Sequence, residues 1–374
     1  MSYKKKDKLY FHQSFLLIVI YKMMTGLTYL PSLNIPPANQ DVWIMLLVSI
    51  PYTMIYSLPL LFLSNKFCNY DFLESAELIM GKRLGKIIGI YYSLFFLTNL
   101  IFFSGGFIEI LDASLYDETP TIVNTLILLF TCAYLVNKGI MNLVRLAELT
   151  IPFIIILFFI LALLGIDNYD FQTFLPILSD SKFGEINKGA LLTTIGYIDI
   201  LILRMLTTYL DDKSKINRLF VSSLIFSTVM IILSVLVVQA TLGIEYAKRV
   251  NFPYYTFTRL ITIGETQGFD LLYVVAWIIG NVIKASGYLY FTTIALGKVT
   301  NKKNQVFIIP VALIATIAIV YIKDNRPILA VRDPYQQMIH VFAFIGVLVI
   351  PLMALIVYFF RRDKIKSTIN SKEQ

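Results

Sequence analysis

Charge is what this chain of 374 residues has least of: Asp, Glu, Lys and Arg make up only 15% of it. A water-soluble domain carries roughly 25% charged residues, because its surface faces solvent. With 57% hydrophobic residues and a mean hydropathy of +0.73, the chain lacks the polar surface that water demands, and its apolar residues come in runs long enough to cross a bilayer. Cysteine and histidine are scarce too: Cys68, Cys132, His12 and His340 are all there is. That excludes a disulfide framework, a structural zinc site and a thiolate-ligated cluster. P-loop, GxGxxG, GxSxG and HExxH patterns are missing, which argues against ATP-driven pumping or hydrolysis. No enzyme activity, metal or cofactor is expected. The net charge of +8 sits mostly in short polar connections, where membrane topology explains it without nucleic acid.

What the chain does have is hydrophobic length. A hydrocarbon core about 30 Å thick needs around 20 apolar helical residues. Windows of that kind fall near 10–30, 42–63, 84–111, 121–137, 146–166, 189–210, 217–242, 270–297, 305–322 and 338–360. Helix is the spanning form, because backbone amides in lipid must be satisfied within their own segment and the alternating pattern of barrel strands is absent. The expectation is an all-α integral membrane protein of about ten transmembrane helices, one polytopic domain over 1–374 with tails at 1–9 and 361–374. Placing the amino terminus in the cytoplasm puts 21 Lys and Arg in the inside segments, among them Lys4, Lys5, Lys6 and Lys8, against 8 outside. The asymmetry favours both termini cytoplasmic and an even number of spans. The stretch after Lys8 contains His12, Gln13 and Lys22 and no small-x-small cleavage site, so it reads as the first span rather than a signal peptide. The long outside connections, near 167–188 and 243–269, are expected to form short helices along the membrane surface.

Ten spans permit a 5+5 inverted repeat, whose ligand site lies at the midplane between first and sixth helices that are broken near their centres. Thr25-Gly26 in the first span and Thr193 to Tyr197 in the sixth have the weak helix continuity this requires. Thr25, Gly26, Thr194, Gly196 and Tyr197 are therefore candidate ligand residues. Gly81, Gly85 and Gly89 recur every fourth residue and predict a smooth packing face.

Several phrases, in this order, carry a resemblance: Ala38 to Trp43, Gly81 to Gly89, Thr119-Pro120, Asn137 to Ile140, Arg145 to Leu149, Leu175 to Leu178 and Phe252 to Tyr255. Together they resemble the B subunit of spore germinant receptors, the GerAB-type endospore germination permeases, a branch of the amino acid-polyamine-cation transporter superfamily. The resemblance runs along nearly the whole chain. It implies a multi-pass protein of the bacterial spore inner membrane that recognises a small nutrient, commonly an amino acid, and works with an A-type subunit and a C-type lipoprotein. The sequence departs from the family's usual pattern at Thr266 to Asp270 and at Lys22, which two Met residues follow. These departures bear on which nutrient is recognised.

Three basic residues fall inside the spans: Lys22, Arg204 and Lys284. A charge there costs at least ~2.5–3.5 kcal/mol on insertion scales, so each is a functional candidate. Lys284 lies centrally in the eighth span and shares a face with Asn281 and Tyr288. It is a candidate ligand residue and, with Lys22 and Asp199, a candidate for coupling or for replacing a bound cation. Asp199 is expected to find Lys284 or Lys22 across the bundle, and a structural ion pair is the competing reading of Lys284. Glu109 and Asp112 read as solvated loop charges, and Glu148 as a local partner of Arg145. In the expected mechanism the nutrient's carboxylate meets freed amides around Gly26, and its amino group meets carbonyls near Thr194 and Gly196. The alternatives are a proton-coupled amino-acid permease and a membrane scaffold that binds nothing small.

Overall fold

The computed structural model describes residues 8–114, 118–262, 269–325 and 332–373. Lys4, Lys5, Lys6, Arg326 and the phrase Thr266 to Gly268 lie outside them. Among the described residues every regular element is helical, and strand pairing is limited to one isolated bridge between Leu9 and Leu210. The first half contains α1 (Phe11–Tyr29), α2 (Val42–Tyr56), α3 (Leu58–Lys66), α4 (Phe72–Met80), α5 (Lys82–Ser114), α6 (Thr121–Asn137) and α7 (Ile140–Leu164). The second contains α8 (Phe183–Ile195), α9 (Asp199–Leu206), α10 (Ile216–Leu242), α11 (Ile244–Arg249), α12 (Pro253–Arg259), α13 (Asp270–Thr300), α14 (Gln305–Asn325), α15 (Arg332–Ala343) and α16 (Ile350–Glu373). A π-helical stretch, Phe344–Val349, joins the last two.

All ten windows read from the sequence fall on helices, two of them interrupted, at Ser57 and at Gly196 to Ile198. Seven stretches are long and apolar enough to cross a membrane: α5, α7, α8 with α9, α10, α13, α14, and 337–363. The pair α2 and α3, bent by 48°, makes eight when taken as one span. The bend has a local cause, since Pro59 at the start of α3 has no N–H to continue the ladder. The remaining windows are α6, apolar but 17 residues long, and α1, which His12, Gln13 and Lys22 make more polar. The outward face is apolar as well: Ile127, Leu149, Leu163, Ile317 and Phe360 are all exposed, as lipid contact requires. Residues 361–373, expected as a tail, continue α16.

Backbone punctuation sets the ends. Gly81, Gly139 and Gly243 have φ of +92°, +90° and +68° between consecutive helices, a region L side chains avoid. Of the three glycines expected to form a packing face, Gly81 therefore serves the turn. Gly85 and Gly89 do pack: a Cβ on either would come within 2.4 Å of Glu77 and 2.5 Å of Val299.

The first described residues, the end of α13 and the Arg361 region of α16 meet one end of the bundle, here the terminal end. Leu9 N donates to Tyr209 O (2.7 Å), Lys298 pairs with Asp71 (2.5 Å), and Arg361 donates to Ile79 O (2.9 Å). At the opposite, distal end two of the recognised phrases meet. Asp41, fully buried, accepts from Leu178 N (3.2 and 3.1 Å) and Ser181 Oγ (2.6 Å), while Gln40 donates to Pro176 O (2.9 Å). Two charges read as solvated are also corrected there. Asp112 is held by Thr121, Asn124 and Lys323, and Glu109 is only 9% exposed. Glu148 feels the charge of Arg145 without a close ion pair to it, and its carboxylate reaches across to His12 (2.7 Å) and Gln13 (2.9 Å) of α1.

Candidate functional site

The sixth span opens where the sequence suggested. α8 ends at Ile195, the chain passes through Gly196, Tyr197 and Ile198 without helical structure, and α9 begins at Asp199. A carboxylate in the first turn suits the partly positive start of a helix. The first span does not open. α1 runs through Thr25 and Gly26 to Tyr29, and the chain turns only at Leu30, in a left-handed conformation with φ of 38°. The helix stays closed although Thr25 Oγ1 donates back to Tyr21 O (3.0 Å) and Thr28 Oγ1 to Met24 O (2.6 Å), bonds that compete mildly with the ladder. Gly26 is a packing residue, since a Cβ there would stand 2.7 Å from Ile231 Cγ1 of α10. The amides around Gly26 are therefore used by the helix, and the expected carboxylate site on them is withdrawn.

What α1 offers instead is a cation brought from α13. Lys284, 1% exposed, donates to Tyr21 O (2.6 Å) and to Thr25 Oγ1, and lies 3.8 Å from the centre of the Phe103 ring. An ammonium on a helix carbonyl and hydroxyl occupies the kind of place a metal cation takes, with the aromatic face adding attraction. Two glycines allow the approach. A Cβ on Gly287 would sit 1.3 Å from Tyr21 Oη, and one on Gly280 2.2 Å from Met24 Sδ. Gly280 and Gly287 are two turns apart on α13 and flank Lys284, so their spacing in the sequence was the available signal for this contact.

Between Leu17 and Thr28 every residue of α1 is buried except Lys22, half-buried, and Thr25, exposed. These two are one turn apart, so the less buried positions of this stretch share one face of α1. Lys22 does not reach for the membrane surface. Its Nζ donates to Thr228 Oγ1 of α10 (3.1 Å) and stands 4.5 Å over the Tyr197 ring in the broken stretch. Asp199, 5% exposed, lies in the field of both ammonium groups, Lys284 more strongly than Lys22. Among the described residues it makes no ion pair within 4.0 Å, so the expected direct pair with Lys284 or Lys22 is not formed.

The remaining candidates separate from this centre. Thr194 is buried against α2, bonded to Thr53 Oγ1 (3.1 Å) and Ser49 O (3.3 Å). Gly196 faces α15, where a Cβ would come within 3.2 Å of His340 Nε2. Arg204 is turned to the terminal end, donating to Thr207 Oγ1 (2.6 Å), Ser75 Oγ (2.7 Å) and Tyr70 O (3.4 Å). Tyr21, Phe103, Thr228 and His340 were not singled out in the sequence, because nothing in their local pattern marks them. Among the described residues no group of acidic, His or Cys side chains could hold a metal.

Comparison with known proteins sets this architecture beside one group. Residues 8–327 match the family described as spore germination protein. The chain is 23% identical over 304 residues to spore germination protein KB of Bacillus subtilis (strain 168), covering 80% of this chain and 81% of that protein. It is 22% identical over 295 residues to spore germination protein YndE of the same organism, covering 78% and 81%. Spore germination protein B2, also of that organism, is 21% identical over 355 residues, covering 93% and 94%.

Proposed function

This chain belongs to the spore germination protein family, and on that premise we propose that it recognises a small nutrient of the amino-acid class as the permease-like membrane subunit of a spore germinant receptor. Its setting in this reading is the spore inner membrane, with both termini cytoplasmic and an A-type subunit and a C-type lipoprotein as partners. One observation carries the nutrient reading: Thr25, bonded to the buried Lys284, is exposed in a stretch of α1 where every other residue from Leu17 to Thr28 is buried except Lys22, which stands one turn away over the Tyr197 ring of the broken stretch. A scaffold that binds nothing small has no use for open polar ground beside a buried cation, since leaving it unfilled costs stability.

In this reading a ligand seated against Lys22 and Thr25 also touches the broken stretch, where Tyr197 lies under Lys22. The break gives the sixth span two arrangements, and the ligand favours one because only that one completes its contacts. Partner subunits then respond to the arrangement. Deleting the gene in its native spore former and testing single nutrients is the experiment. Loss of the response to a particular small nutrient is expected; unchanged responses to all of them would contradict the proposal.

A further inference from the structure

We infer that the centre between α1, α9 and α13 is built for a small carboxylate that carries one more negative than positive charge. The inference rests on the nutrient reading above and narrows it. Lys22 stands over the Tyr197 ring two residues before Asp199, Lys284 is held on Tyr21 O and Thr25 Oγ1 of the same helix as Lys22, and the charges of both lysines act on the buried Asp199 carboxylate. The helices around them add no fourth ion at this level among the described residues. Arg204 on α9 is committed to Tyr70, Ser75 and Thr207, and Glu109 and Asp112 on α5 lie toward the distal end with Lys323. Formally the centre holds two positive charges and one negative.

A surplus charge among apolar helices is unfavourable, because little water is present to solvate it. A zwitterion brings equal charges of both signs and leaves the surplus standing. A ligand with one excess negative charge removes it, and that difference is a selectivity device independent of shape.

The two lysines have different work in this arrangement. Lys284 is 1% exposed and already spends two N–H groups on Tyr21 O and Thr25 Oγ1, with the Phe103 ring beside it. It is the fixed cation. Lys22 is half-buried and has one hydrogen-bond acceptor, Thr228 Oγ1, so it keeps two N–H groups for a ligand. Lys22 sits one turn from the open Thr25, and its ammonium is the group an incoming carboxylate meets. On the same face of α13 as Lys284, the buried Asn281 Oδ1 has no donor among the described residues, and it suits a ligand hydroxyl or N–H.

The test compares isosteric pairs that differ in charge, using the full chain in lipid nanodiscs. L-glutamate is set against L-glutamine, and L-lactate against L-alanine, with binding read by calorimetry. In at least one pair the anion is expected to bind about tenfold more tightly. Lys22→Gln should abolish that gap, and Lys22→Arg should keep it, with thermal unfolding showing both variants folded. Should Lys22→Gln fail to fold, the order within the pairs in the unaltered chain decides the matter. Equal or tighter binding of the neutral member overturns the charge inference and leaves the nutrient reading standing. Binding of none of the four probes counts against both.

Discussion

Arg204 and Lys284 are equally buried, 1% exposed each, and both are cations placed within apolar spans, yet their surroundings differ in kind. Arg204 sits in closed ground. Its Nη1 and Nη2 groups donate to Thr207 of the adjoining turn, to Tyr70 just before α4 and to Ser75 within it, and the Phe72 ring lies 5.5 Å from the guanidinium. Apart from Thr207, these contacts tie the sixth span to one short helix. Lys284 ties α13 to α1 through a residue, Thr25, that is itself open. Burial of a charge therefore does not separate a fastening from a site. The openness of its partner does.

The largest effect expected from this contrast is at Arg204. Arg204→Met leaves Tyr70 O, Ser75 and Thr207 without their charged donor, and thermal unfolding in detergent should show a loss on the order of 3 kcal/mol with reduced abundance. An abundant, stable variant that has lost only the nutrient response would erase the distinction drawn here. Gly26→Val comes next. Overpacking Ile231 should cost about 1–3 kcal/mol, and Ile231→Ala added to it should restore part of the stability. If the double variant stays stable but silent, Gly26 has a role beyond packing.

At Gly196 the obstacle is the far end of a side chain, His340 Nε2, so Gly196→Val should shift the germination dose-response about tenfold or less with little change in unfolding. His340→Ala in the same chain should bring the curve back; no recovery would place the effect in the backbone break instead. The smallest effect belongs to Thr25. Thr25→Val keeps the shape and removes one acceptor of Lys284, for an expected shift of about threefold to tenfold, while Thr25→Ser should match the unaltered protein. A larger loss with Ser than with Val would mean that the methyl group, not the hydroxyl, matters there.

The helical spans were legible because bilayer thickness imposes a length that apolar runs either meet or miss. Lys22, Lys284 and Asp199 were legible because charge inside such a run is costly and so conspicuous. The break at Gly196 to Ile198, just after Thr193 and Thr194, was readable for the same reason that the one at Thr25-Gly26 was misread: Gly and Thr lie at or beside both, and they weaken a helix locally. Packing decided between them, with α10 fitted against Gly26. Pairings distant in sequence were not legible. Nothing around Glu148 announces His12, and nothing around Asp41 announces Leu178 and Ser181, because such partners are set by the fold.

The central claim is that Lys284 acts through its charge at an open site. It is tested most directly by germination dose-response curves of native spores carrying Lys284→Met or Lys284→Arg, with the abundance of the protein measured in the same spores. Met preserves much of the side chain's length without the charge, and Arg preserves the charge in another shape. The account predicts that the Arg variant keeps a partial response and that the Met variant, at comparable abundance, needs at least about 100-fold more nutrient or does not respond. An abundant Met variant that germinates on the curve of the unaltered protein would contradict it.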